Sequence, residues 1–154
     1  RQIDEQHTDA REEFVVIRNA KFREVIMEIY GNQCAVTGLK VEYRNQKPLL
    51  DACHIIPFAE SYNDSVRNGI AMSPTFHRAF DSGAISISAG YRVLVHPALR
   101  DQSPFHSLRQ YEQQEIILPA SQRHFPSEEF LSRHRRRWGI MDYELRITNW
   151  GVMD

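Results

Sequence analysis

Apolar residues near the beginning of the chain recur with helical spacing. The pattern, with intervals of three and four residues, consists of Phe22, Val25, Ile26 and Ile29. Because this spacing places one apolar stripe on a helix, it predicts a helix over residues 18–30. Gly31 and Asn32 follow directly, and both residue types favour the left-handed conformation that commonly ends helices.

The middle of the chain alternates short apolar runs with polar stretches. Residues 48–56 are apolar and short enough for a strand, which Pro57 ends. After a polar loop at 60–67, residues 69–72 predict a second strand that pairs back on the first. Residues 73–81 open with a Ser-Pro pair, typical of a helix start. The predicted order is strand, long loop, strand and short helix.

Further elements are predicted on both sides of this middle unit. They are a short strand leading into a turn at 34–38, a β-hairpin at 84–88 and 91–96, a weak helix at 105–114, a strand at 116–118 and a helix at 127–138. The pattern as a whole predicts an α+β fold with flanking helices and an additional β-hairpin.

Composition describes an ordinary globular protein. The 154 residues favour one domain, and 42% hydrophobic with 25% charged residues allows a packed core. No apolar run approaches membrane-spanning length, and the N-terminus lacks a secretory signal. Cys34 and Cys53 cannot build a four-cysteine zinc site, so we expect two reduced, buried thiols in a cytoplasmic protein.

The N-terminal stretch differs from the rest of the chain. The first residue is Arg1 rather than Met, so we expect the chain to be part of a longer protein. Residues 1–17 are predicted to be a flexible arm or the end of a linker, and residues 18–154 to be one domain. We further expect an N-terminal recognition or sensor domain outside this chain.

Charge is distributed unevenly, although the formal net charge is only -1. A dense basic run, residues 133–137, lies in the last predicted helix. Arg133 and Arg137 share one helical face, Arg136 lies beside them, and Arg135 points elsewhere. Arg133, Arg136 and Arg137 are therefore the candidates for contacts with a polyanion such as nucleic acid.

Three polar side chains fall on the middle unit. His54 lies near the end of its first strand, Asn68 at the end of its loop, and His77 on its short helix. Phosphodiester hydrolysis needs a base that activates water near neutral pH, which imidazole provides. It also needs a cation that neutralises charge on the phosphate and the leaving oxygen. The arrangement suits phosphodiester hydrolysis.

Four segments carry a resemblance to a known family. In order they are Cys-Ala-Val-Thr-Gly-Leu at 34–39, Asp-Ala-Cys-His-Ile-Ile-Pro at 51–57, Asn-Gly-Ile-Ala-Met-Ser-Pro at 68–74 and His-Arg-Ala-Phe-Asp-Ser-Gly at 77–83. They resemble the HNH endonuclease family, whose fold is the ββα-metal or His-Me finger, and within it the branch of bacterial restriction and defence nucleases. The resemblance covers residues 22–95 and implies a ββα core at about 48–83.

The resemblance implies a role for each of the three residues. His54 matches the general base, Asn68 matches the asparagine that holds the loop through backbone hydrogen bonds, and His77 matches a metal ligand. The implied activity is metal-dependent cleavage of DNA, with one divalent ion. We expect Mg²⁺, with Mn²⁺ or another transition metal ion as alternatives. The rival hypothesis is a catalytically inactive nucleic-acid-binding module on the same fold.

One position departs from the family pattern. Many members carry Asp or His directly before the base as a second metal ligand, and this chain carries Cys53 there. A thiolate is a soft ligand and a poor partner for Mg²⁺. Our first candidate for the second ligand is Asp81, which is i, i+4 with His77, and Asp51 is the other.

Overall fold

The computed structural model of the protein describes residues 20–61 and 64–142. Its helices and strands are α1 (Ala20–Ile29), β1 (Asp51–His54), α2 (Phe58–Ser61), β2 (Gly69–Met72), α3 (Pro74–Asp81), β3 (Ile85–Ile87), β4 (Val93–Val95) and α4 (Glu128–Trp138). The arm predicted at 1–17, and the first two residues of the predicted first helix, lie outside the described residues.

A ββα unit forms the middle of the fold. Strands β1 and β2 pair antiparallel, with His54 opposite Gly69. Helix α3 follows β2 at once, with Ser73 at its N-cap position, although the Ser73 side chain makes no capping hydrogen bond. The predicted order of strand, loop, strand and short helix is present, and the predicted α+β fold is confirmed.

The predicted hairpin and C-terminal helix enclose the other side of the core. Strands β3 and β4 pair antiparallel, and α4 packs against β3. Helix α4 begins after Ser127, whose hydroxyl accepts a hydrogen bond from the backbone N–H of Phe130. It ends at Gly139, which adopts the left-handed conformation.

Three sequence-based assignments are wrong. Residues 34–38 form a turn rather than a strand: their apolar side chains are buried, but only Ala35 bonds a strand, donating to the carbonyl of Ala71 at 2.8 Å. The weak helix at 105–114 is reduced to a 3-10 turn at Leu108–Tyr111. The strand at 116–118 is absent, and Glu115 makes an isolated bridge to Arg92 instead.

The core lies between α1 and the two strand pairs. Helix α1 buries Phe22 and Ile26 of the predicted apolar face, and Met27 besides, while Val25 and Ile29 are partly buried against the core. Cys34 and Cys53 are both free thiols and both fully buried, as expected. Among the described residues no helix has the length and apolar composition needed to cross a bilayer.

Gly83 marks the close contact between α3 and α4. It has a φ of +78°, and a Cβ atom there would lie 2.3 Å from Cδ2 of Trp138. Gly83→Ala is therefore expected to lower the free energy of unfolding by about 2–4 kcal/mol, because left-handed strain and overpacking add. Denaturant unfolding measures the change.

Gly139→Ala is a matched control for this prediction. Gly139 has a φ of +65°, yet nothing lies within 4 Å of an added Cβ, so only the backbone strain applies. We expect this variant to lose about 1 kcal/mol. Equal losses in the two variants would show that the Trp138 contact contributes nothing.

Candidate nuclease site

His54 is held at the end of β1 by a carboxylate and two aromatic rings. Its Nε2 lies 2.9 Å from Oδ1 of Asp64, and the two side chains are 25% and 11% exposed. The ring stacks on Phe22 with centroids 4.1 Å apart and an angle of 4°, and Phe58 lies 5.8 Å away. Asp64 therefore fixes the imidazole so that Nε2 carries the proton and Nδ1 the lone pair.

Asn68 secures the chain that follows His54. Its Oδ1 accepts from the backbone N–H of Ile56 at 2.9 Å, and its Nδ2 donates to the carbonyl of Ile56 at 3.0 Å. The Asn68 side chain is fully buried. These two hydrogen bonds hold Ile56, two residues after His54, at the end of β1.

His77, on α3, lies between two carboxylates. Its Nδ1 is 2.9 Å from Oδ2 of Asp51, and its Nε2 is 3.0 Å from Oδ2 of Asp81. The hydrogen bond to Asp81 raises the pKa of His77 to about 9; Asp51 adds to the shift and partial burial opposes it. The imidazole is thus a cation near neutral pH, balancing the two carboxylates.

Both predicted second ligands, Asp51 and Asp81, therefore contact His77, and Cys53 joins them. The ligand atoms of Cys53, His77 and Asp81 all lie within 4.8 Å of one another. Burial, followed by the neighbouring Asp81, raises the pKa of the Cys53 thiol well above its ordinary value, so it is protonated. Imidazole and carboxylate donors concentrated in this way fit a divalent cation.

A cleft brings the two histidines together. Its volume is about 600 Å³, and His54, His77 and Asp81 line it along with Arg133 and Arg137 of α4. We call it the base cleft.

The basic run on α4 divides into exposed and buried members. Arg133 is exposed, and Arg137 is half-exposed and pairs with Glu60 of α2 at 2.5 Å. Arg136 is exposed but does not line the base cleft. Arg135 is buried and bonds Glu128 at 2.6 Å, so it stabilises the fold.

His134, in the same run, is a core residue. Its Nε2 donates to the carbonyl of Phe80 at 2.8 Å, its Nδ1 lies 2.8 Å from the hydroxyl of Ser86, and its ring stacks on Phe80 at 3.7 Å. Burial lowers the pKa of His134 to about 4, and the hydrogen bond to Phe80 opposes that shift.

Acid is expected to destabilise the protein through His134. The folded pKa of about 4 lies below the ordinary value of 6.5, so the unfolded chain binds the proton more tightly. Stability is then fully present above pH 6.5, falls as the pH is lowered and levels off below pH 4, with a total loss of about 3 kcal/mol. Urea unfolding between pH 7.5 and 5 measures this.

The matched control is His134→Gln, which has no titrating ring. It is less stable at every pH, but its loss between pH 7.5 and 5 is expected to be smaller than that of the wild type by about 2 kcal/mol. Identical pH slopes in the two proteins would remove His134 from the acid response.

Two site residues were missed from the sequence. Asp64 and Glu60 both lie in the stretch between the strands that was interpreted as a polar loop. Acidic residues there carry no periodic signal. His54 and Asp64 are ten residues apart and meet only in the folded chain. After Asp64 the chain returns to pair with β1 through the 3-10 turn Val66–Asn68.

One family model matches the part of the chain that carries this site. Residues 34–88 match the HNH endonuclease model, and this range includes His54, Asn68 and His77. This match confirms the resemblance inferred from the four segments, over residues 34–88.

One similar solved structure is a modification dependent TagI restriction endonuclease. The two chains are 22% identical, with a TM-score of 0.57 over 78% of this chain. That likeness shows a shared fold. The match spans 38% of the TagI chain, so this chain corresponds to little more than a third of it. No curated protein matches this chain.

Proposed function

We propose that this domain is a metal-dependent DNA endonuclease that uses His54 as its general base. The observation that carries the proposal is the pairing of His54 with Asp64 in the cleft that also holds His77. His54 is partly exposed at a solvent-open cleft, where a histidine oriented by a carboxylate can take a proton from a bound water.

The chemistry follows from the orientation of each ring. Asp64 accepts the Nε2 proton of His54, which leaves Nδ1 to take a proton from the attacking water. The imidazolium that results is stabilised by the Asp64 carboxylate. The hydrogen bonds of Asn68 to the backbone of Ile56 hold the strand end in place. His54 therefore keeps its position relative to the scissile phosphate.

His77 is the proposed centre of the metal site. A divalent ion bound there would neutralise the charge of the scissile phosphate and of the leaving 3′ oxygen. We propose His77 and Asp81 as ligands, with Asp51 holding the other face of the imidazole through Nδ1. The family resemblance favours Mg²⁺, with Mn²⁺ or another transition metal ion as the alternative.

Cleavage of a supercoiled plasmid tests the proposal against its rival. The protein is expected to nick the plasmid with Mg²⁺ or Mn²⁺ and to stop when EDTA is added. A catalytically inactive binding module would shift the plasmid in a gel under every metal condition and leave it intact. That outcome would replace the proposal with the rival.

Contacts to DNA are expected from Arg133 and Arg137 rather than from the whole surface, because the net charge is only -1. Arg133→Ala with Arg137→Ala should weaken binding to all sequences alike. It should reduce the slope of log affinity against log salt by about 1–2 units, since each lost phosphate contact removes about 0.9. The reduction in slope should be less than about two units, because Glu60 already neutralises part of the charge of Arg137.

Arg135 is unsuitable as a control because it is buried, so Arg44 serves instead. Arg44 is exposed in the loop before β1 and lines neither the base cleft nor the metal site. An equal salt slope for the double variant and Arg44→Ala would show that the α4 arginines form a solvated surface.

The biological setting is also a proposal. We infer a cytoplasmic restriction or defence protein in which a recognition or sensor domain, N-terminal to this chain, selects the DNA. TagI is described as modification dependent. Binding assays with modified and unmodified duplexes test whether this domain has any such preference; we expect none, since its cleft residues belong to the cleavage site.

A further inference from the structure

The metal site opens on two sides. On one side lies the base cleft. On the other lies a second cleft of about 730 Å³, lined by Asp51, Pro74, His77, Arg78, Asp81 and Ser82, which we call the outer cleft. The two clefts share His77 and Asp81. A linear ligand held at His77 can therefore continue in both directions.

Arg78 gives the outer cleft its cationic side chain. It directly follows His77 on α3, is exposed, and makes no side-chain ion pair or hydrogen bond with any residue in the described parts of the chain. Its neighbour Asp81, three positions along the helix, contacts His77 instead. The Arg78 guanidinium is thus available to a ligand.

The other charged groups of the outer cleft are carboxylates. Asp51 and Asp81 are 43% and 54% exposed and would repel a phosphodiester. An arginine beside them supplies the opposite charge in a form that binds two phosphate oxygens at once. The outer cleft can hold a phosphate through Arg78 once the carboxylates are engaged by His77 and the metal.

We propose that Arg78 binds the phosphate next to the scissile one, on the side of the strand away from α4. The inference rests on the proposed function, because it needs a nucleic-acid strand at His77. Arg133 and Arg137 hold the strand in the base cleft, and Arg78 holds it in the outer cleft. The site then selects an internal phosphodiester with phosphates on both sides, and a strand end fills only half of it.

The test uses a DNA duplex in which single phosphates are replaced by neutral methylphosphonates, one position at a time. Binding is measured by fluorescence anisotropy with Mn²⁺ in the His54→Ala background, so that the probe is not consumed. Arg78→Ala is expected to weaken binding about tenfold and to lower the salt slope by about 0.9. Arg44→Ala, an exposed arginine outside both clefts, is expected to change affinity less than twofold.

The position of the effect decides the proposal. One methylphosphonate position that weakens DNA binding by the His54→Ala parent should cause no further loss of binding when Arg78→Ala is also present. This position should lie across the scissile phosphate from the position that becomes silent in Arg133→Ala. If Arg78→Ala matches Arg44→Ala while the wild type still cleaves DNA, the Arg78 subsite is wrong and the nuclease function stands. Silent positions on the same side would refute the two-cleft path, and a wild type that neither binds nor cleaves DNA would refute the proposed function itself.

Discussion

His54→Ala is expected to lower the single-turnover rate of DNA cleavage by ~10²–10⁴-fold, the usual effect of losing a general base. The fall should lie in the rate and not in DNA affinity, because Arg133 and the metal site remain. The ring also stacks on Phe22 at 4.1 Å, so the variant must be shown to be folded. Circular dichroism and a thermal unfolding curve establish this.

Asp64→Asn tests the orientation of the His54 ring while leaving the ring itself in place. The amide is the same size as the carboxylate but can present an N–H to Nε2 and favour the other tautomer of His54. We expect a loss of about 10–100-fold in rate with little change in stability. Wild-type cleavage by a folded His54→Ala protein would remove His54 from the mechanism, whatever Asp64→Asn does.

Metal binding at His77 is expected to release about one proton near pH 7. Asp81 and Asp51 raise the pKa of the metal-free His77 to about 9, so the imidazole is protonated and must lose that proton to bind a metal. Affinity should therefore rise about tenfold per pH unit between pH 6.5 and 8.5. Calorimetry with Mn²⁺ in buffers of different ionisation enthalpy measures the released proton.

Single variants rank the metal ligands. His77→Ala should abolish binding, and Asp81→Asn should weaken it more than Asp51→Asn, which alters only the support of the ring. Cys53→Ser should have the smallest effect, because the buried thiol would have to lose a strongly held proton to bind. Undiminished affinity in His77→Ala would show that the metal is bound elsewhere.

The ββα unit could be predicted because its signals are local. The strand at 69–72 and the helix that follows Ser73 are marked by their own residues, and both were predicted with almost the observed bounds. The turn at 34–38 was mistaken for a strand because buried residues there pack without a strand ladder, which composition does not reveal.

The partners of the site residues could not be predicted, because they are set by tertiary contacts between distant parts of the chain. His54 was recognisable from its segment, but its partner Asp64 is set by the path of an irregular loop. The spacing on α4 separates Arg135 from the face that Arg133 and Arg137 share, but it does not show which groups these side chains bind. Arg135 is drawn inside by Glu128 and Asp142, and Arg137 is partly neutralised by Glu60, a residue 77 positions away. Glu128 lies about two turns before Arg135 on α4, but the spacing within α4 carries no signal for Glu60.

Anomalous diffraction from crystals grown with Mn²⁺ and a DNA duplex tests the central claim most directly. The His54→Ala protein keeps the duplex intact during crystal growth. We predict one manganese peak bonded to His77 and Asp81 and to a phosphate oxygen, with position 54 on the opposite side of that phosphate. A peak bonded to neither His77 nor Asp81, or DNA whose phosphates avoid the base cleft, would contradict the account.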